Sequence, residues 1–314
     1  MNQEIKLLDG KTYDTLDLLE RMANDQFYYG ELSRLALSSS ALKLLNESPK
    51  KYKWSLKGFK EESAALDAGW LFHTAILEPH VFESQIFVDV QSKNTKAYKD
   101  ALVKHGKAFT VKQKSEAERL ADHFFRNENA LKQISNANFE VAGIKAIKAR
   151  SGKEYAFRGK ADILGENRIC DLKTTQSVTE FPYSAYKYGY DVQVYLYSEI
   201  FNIPHTEFTF CCIEKGNLDI AIWKVSDDNP HSVWRGMTMY EHGKMRALNA
   251  IDIYEQFFVN NEDLDNWTVF GNLWDMKKKK LTTDQRLKKL EKTVFEILMY
   301  LTNKDKVKSE EEWH

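Results

Sequence analysis

Apolar and polar residues follow two different periods along this chain. Ser38, Ser39 and Ser40 precede Ala41, Leu42, Leu44 and Leu45, a capped helix stopped by Pro49. Residues 61–79 predict a second helix ended by Pro79, and 92–134 are charged and mostly helical. From 139 the helical period gives way to near-alternation. Residues 139–150 predict a strand, SGKE a turn, 155–164 a second strand and 169–175 a third. Residues 188–202 predict a helix, and 206–213 and 218–225 a further hairpin turning at EKGN. The order β-β-β-α-β is that of an α/β fold on a mixed central sheet flanked by helices. Residues 1–34 are weakly patterned and predict a peripheral segment. Further on, Leu287, Leu290, Val294, Ile297 and Leu301 recur at helical spacing, a stripe that suits a helix packed on its own core or an oligomer contact. The expected layout is a central domain over 35–260, a helical extension over 261–302 and a flexible tail over 303–314.

The hairpin GKADILGENRICDLKTT (159–175) carries an oddity. With the turn centred between Glu166 and Asn167, Asp162 falls opposite Asp171 and Lys160 opposite Lys173. Like charges opposite one another destabilise a sheet, so the pairing calls for compensation. Two facing carboxylates lie roughly 5 Å apart at Cα, close enough to share a hard divalent cation such as Mg²⁺. Asp171 and Lys173 project from one face of their strand, which sets an ammonium beside that cation, where it can steady an attacking water or a phosphoryl oxygen.

Composition narrows the setting. Among 314 residues, 45 basic and 46 acidic side chains leave a net charge of −1, so any nucleic-acid surface is a local patch. Three cysteines, 170, 211 and 212, form no CxxC pair and suit a reducing cytosol. No apolar run reaches membrane length, and no phosphate-binding GxxxxGK[ST] loop is present. The stretch PKKYKWSLKGFK (49–60) interleaves Lys50, Lys51 and Lys53 with Tyr52 and Trp54, a pattern suited to phosphate contacts and base stacking. Arg150, Arg158 and Lys160 add charge near the hairpin. His73 sits among Trp70, Phe72, Ile76 and Leu77, which suits a core histidine as well as a ligand. Glu140 at a strand start reads as a solvated acid. Gln193 shares a helical face with Tyr190, Val194 and Tyr197, and a Gln among aromatics needs polar partners.

Asp162, Asp171, Leu172 and Lys173 resemble the PD-(D/E)xK nuclease signature, with Ala161 where that family often has proline. Residues 37–54 and 67–82, then FRGKADIL, ICDLKTT and YGYDVQVYLY, resemble in order the exodeoxyribonuclease VIII (RecE) nuclease domain and its phage-encoded relatives. The resemblance implies a restriction-endonuclease-like core. It makes Asp162 and Asp171 metal-binding carboxylates, the Leu172 carbonyl a further ligand, and Lys173 the water-orienting lysine. It brings His73 to the metal from a helix, gives Glu140 a second-metal role, and sets Gln193 against the site. Thr174, Tyr190 and Tyr197 join the expected DNA contacts. The implied activity is Mg²⁺-dependent (Mn²⁺ substituting) digestion of the 5′-ended strand of linear duplex DNA, with two ions per site. The implied setting is the cytoplasm of a bacterial host, phage- or prophage-encoded. The implied partners are a RecT-like annealing protein and copies of the chain itself, possibly in a ring. The rivals are another endonuclease of the superfamily and a non-catalytic DNA-binding module; RecB-type nucleases with an iron–sulfur cluster commonly carry four cysteines, and this chain has three.

Overall fold

The computed structural model describes residues 4–59, 63–228 and 236–269. The chain opens with β1 (Glu4–Lys6), β2 (Thr12–Asp14) and α1 (Thr15–Met22), followed by α2 (Ser39–Glu47), α3 (Pro49–Leu56), α4 (Ala64–Leu77) and α5 (Pro79–Glu83). Next come β3 (Phe87–Val88), α6 (Lys96–His105), β4 (Phe109–Thr110), α7 (Val111–Arg126) and α8 (Glu128–Ile134). The central part is β5 (Ala137–Lys148), β6 (Glu154–Gly165), β7 (Ile169–Thr175), α9 (Phe181–Tyr188), α10 (Tyr190–Phe201), β8 (Phe208–Glu214) and β9 (Ile220–Lys224), closed by α11 (Met239–Tyr254). These elements lie in one compact unit, Met1–Trp267; a second unit is Thr268–His314. The predicted helix carrying Leu287–Leu301 and the tail 303–314 fall outside the described residues. No helix among the described residues is long and apolar enough to cross a membrane.

Local signals set the helix boundaries. Ser38 caps α2 through its hydroxyl, which accepts from the Ala41 N–H, and Ser48 caps α3 with Pro49 in the first turn, where proline's missing N–H costs nothing. Thr110 with Gln113 and Thr238 with Glu241 form capping boxes that start α7 and α11. Pro79 ends α4 and opens the short α5. The helix predicted over 188–202 is broken at its start: Gly189 has φ 75° and separates α9 from α10, a backbone state that favours glycine.

The five-stranded sheet has the order β5-β6-β7-β8-β9. All neighbours are antiparallel except β7 and β8. A parallel pair needs a long crossover, and α9 with α10 supplies it. One face of the sheet carries Phe157, Ala161, Phe208, Phe210 and Cys212 under Val192, Leu196 and Tyr197 of α10 and Ala247 and Ile251 of α11. Ile163, Cys170, Leu172, Cys211 and Ile213 pack with Phe72 and Ile76 of α4 and Leu120 and Phe124 of α7. Gly143 and Gly159 let α10 lie close on β5 and β6, because a Cβ on Gly143 would fall 2.6 Å from Ile200 Cγ2, and one on Gly159 2.9 Å from Tyr197 Cε1.

The amino-terminal residues, read above as peripheral, are part of the packing. Ile5, Leu7, Leu18, Met22, Tyr28 and Leu32 form a buried cluster with Ile144 of β5 and Ala156 of β6. Short strands and a short amphipathic helix carry too weak a period to reveal this; the burial is supplied by the distant sheet.

Candidate active site

The β6–β7 hairpin turns where its register predicts, with Leu164 opposite Ile169 and Ile163 opposite Cys170. The ladder then stops. Asp162 and Asp171 are not a paired couple, and Lys160 does not face Lys173; the strands part before either pair can form. Asp162 fills the opening, and its Oδ2 accepts from the Leu172 N–H at 2.8 Å. The predicted pairing of like charges is thus relieved by a side-chain hydrogen bond where a ladder bond would continue.

A different like-charge pairing is built instead. β5 and β6 keep one register on both sides of Glu140, with Phe139 opposite Ile163 and Val141 opposite Ala161. Glu140 therefore stands level with Asp162. Its backbone is left-handed, φ 51°, a conformation that costs on the order of 1–3 kcal/mol outside glycine and collects at functional sites. Between the two acids sits His73 of α4. Its Nε2 is 2.8 Å from Asp162 Oδ2 and 3.3 Å from the Leu172 carbonyl, and its Nδ1 is 3.6 Å from Glu140 Oε1. Gly69, one turn earlier, faces Thr174 of β7, with space for no more than ordinary contact (3.8 Å from a built Cβ to Oγ1). Thr174 therefore lies under α4.

Asp171 is fully buried. It pairs with Lys173 Nζ through Oδ2 and accepts from Gln193 Nε2 of α10 through Oδ1. Lys173 lies 4.8 Å from the ring centre of Tyr190. Ligand atoms of His73, Glu140 and Asp162 lie within 4.8 Å of one another, and the Leu172 carbonyl faces the same imidazole nitrogen as Asp162. Asp162, the Leu172 carbonyl and the His73 imidazole, with Glu140 beside them, offer donors that suit a divalent ion.

Charge compensation here is incomplete. Burial alone would lower the pKa of His73, but the Asp162 carboxylate against it, then Glu140, push it up to about 10. Burial would raise Asp162, yet the His73 imidazolium, Lys173 and the Leu172 N–H hold it below the usual carboxylate range. For Asp171, burial and then the Asp162 charge win over Lys173 and raise it to about 7. Lys173 is opposed by burial and held above the ordinary lysine value by Asp171 and Asp162.

Residues 38–243 match the family described as a PDDEXK-like domain of unknown function (DUF3799). The chain belongs to this family. The PDDEXK-like chain accordingly has an α/β fold with a mixed sheet between helices, as the strand order predicts. No curated protein matches it. Among solved structures it is similar to SSO0001, at 17% identity over 68% of this chain and 85% of that one, with a TM-score of 0.29. A likeness so loose adds nothing to the site.

The expected DNA-contacting residues of the PDDEXK-like chain divide sharply. Lys53 and Trp54 are exposed on α3. Lys50 is ion-paired with Asp265 at 2.6 Å and Lys51 with Glu47 at 2.8 Å. Arg150 pairs with Asp252 and Asn249. Tyr52 is buried against Tyr254 and Phe258, so it is a core residue and not a stacking platform. Tyr197 is likewise buried, over Gly159. Arg158 lies buried over the Tyr28 ring, 4.4 Å from its centre. Lys160 points not to solvent but into acids, 2.6 Å from Asp25 and 3.5 Å from Glu140. Burial opposes its charge, and Asp25, Glu140 and Glu78 outweigh that to hold its pKa above the ordinary value. Sequence reasoning missed Asp25 and Tyr28, which reach the site from the amino-terminal segment with no local periodicity to mark them.

Proposed function

We propose that this chain is a metal-dependent deoxyribonuclease that digests the 5′-ended strand of linear duplex DNA and leaves a 3′ overhang. The observation that carries the reading is the gathering of His73, Asp162, Asp171, the Leu172 carbonyl and Lys173 where β6 and β7 part. The choice of the 5′ strand, and a RecT-like annealing protein as consumer of the product, rest on the resemblance to RecE-type sequences. The same resemblance supports a homo-oligomer.

His73, Asp162, Asp171 and the Leu172 carbonyl would hold the ion. When bound, the divalent ion supplies Lewis acidity at the scissile phosphate and a more acidic water. Asp162 keeps its place through the Leu172 N–H, and Gln193 keeps Asp171 turned into the site. Lys173, anchored by Asp171 and set against Tyr190, aims an ammonium at the phosphate oxygens on which charge grows.

The test follows labelled linear duplex with Mg²⁺, 5′ and 3′ labels in parallel, beside Lys173→Ala. Release of 5′ label by wild type alone, with closed circles left intact, is the expected result. Cutting of circles would make the protein an endonuclease of the same fold. Absence of cleavage with any divalent ion would overturn the nuclease reading.

A further inference from the structure

Lys160 has an unusual place. It lies diagonally across the β5–β6 ladder from Glu140, its own partner being Ala142, and diagonal neighbours are within reach of long side chains. Its side chain is 9% exposed. The ammonium sits 2.6 Å from Asp25 Oδ1 and 3.5 Å from Glu140 Oε2, with the rings of Tyr28 and Tyr29 each centred 5.6 Å away. Glu140 thus has a charged or polar neighbour on each side, Oε1 toward His73 Nδ1 at 3.6 Å and Oε2 toward Lys160. A lysine in this setting does not contact a phosphate backbone, and its ammonium beside Glu140 Oε2 opposes the approach of a second cation there.

We propose that Lys160 is a built-in cation that fills the second-ion position beside Glu140, so that this active site works with one divalent ion rather than two. The inference rests on the nuclease reading of the site. The single ion would be held by His73 Nε2, Asp162 and the Leu172 carbonyl. Glu140 faces the other imidazole nitrogen and orients the ring, as carboxylates behind metal-bound histidines do. Asp25, delivered by the amino-terminal segment, holds the lysine in place. Glu140, with its left-handed backbone, stands beside both His73 and Lys160.

The test counts ions and needs no cleavage. Mn²⁺ is titrated into the metal-free full chain, alone and with a non-hydrolysable phosphorothioate duplex, and free Mn²⁺ is read by its electron paramagnetic resonance signal. Wild type is expected to bind one ion per chain under both conditions, with a spectrum free of Mn–Mn coupling. Lys160→Met is expected to bind two, and Lys160→Arg one. Two coupled ions in wild type would overturn the inference while leaving the nuclease reading intact, and that count requires no variant to fold. One ion in folded Lys160→Met would also overturn it. No ion in any of the proteins would overturn both the nuclease reading and the lysine's role.

Discussion

Among the described residues two aspartates are wholly buried, and they do opposite things. Asp191, in the first turn of α10, accepts from His242 Nδ1 at 2.6 Å and from Arg246 at 2.9 Å. The two donors stand one turn apart on α11. Each carboxylate oxygen has its own partner, and the result is a pin between two helices. At the same crossing Gly243 meets the backbone of Asp191 so closely that a Cβ would collide with the Asp191 carbonyl oxygen. Asp171 also has two partners, Lys173 and Gln193, yet Asp162 lies close enough to raise its pKa. A buried charge that is fully matched fixes structure. Asp171, its pKa raised first by burial and then by the Asp162 charge beside it, is not matched in this way.

That contrast can be broken by mutation. The largest effect expected is on catalysis: Asp171→Asn or Lys173→Ala lowers the cleavage rate by about 10²- to 10³-fold, the scale for removing a preorganised electrostatic group. The melting temperature should fall less than in Asp191→Ala. Steady-state cleavage and thermal melts on the same preparations check both statements. If the Asp191 variant loses catalysis while keeping its melt, the division of labour drawn here is wrong.

Asp191→Ala should instead cost about 3–5 kcal/mol of folding stability, because it leaves the buried His242 and the half-buried Arg246 beside a lost charge. Urea unfolding measures it. Gln193→Leu lies between the two regions. It should lower activity or metal affinity about 10- to 100-fold, as the loss of an outer-shell partner does, with Mn²⁺ affinity and cleavage read side by side. Gly243→Ala is expected to cost about 1–3 kcal/mol through overpacking, read as a lower urea midpoint at an unchanged slope. The smallest effect is chemical. Cys170, Cys211 and Cys212 are buried, and burial raises Cys170 to about 12 and the other two as well. With the thiolate form suppressed, a thiol-reactive dye at pH 8 should label none in the native protein and all three in denaturant.

The positions of the strands were readable from alternation. Observed bounds differ from the predicted ones by at most two residues at each end of the sheet strands, and β7 is the same over 169–175. Turn chemistry fixed the hairpin register, since Gly and Asn permit the tight reversal that sets Ile163 against Cys170. Spacing within strand and helix placed Asp171 with Lys173, and Gln193 with Tyr190 and Tyr197. These are local properties, set by backbone periods of two and 3.6 residues.

Which face meets which distant segment is not a local property. Only the tertiary structure decided that the β6–β7 ladder ends before Asp162, that Glu140 and not Asp171 stands level with Asp162, and that His73 lies between them. Lys160 looked like a surface cation because a lysine two residues before an aspartate has no sequence mark of burial. It became an internal one when residues 25–29 folded over β6. Tyr52 and Tyr197 likewise exchanged an expected contact with DNA for places in the core. A sequence states the order of polar and apolar positions along each element; whether a polar position ends in water or against another chain segment depends on long-range packing, where burial energy, summed over the whole sheet, outweighs the preference of any one residue.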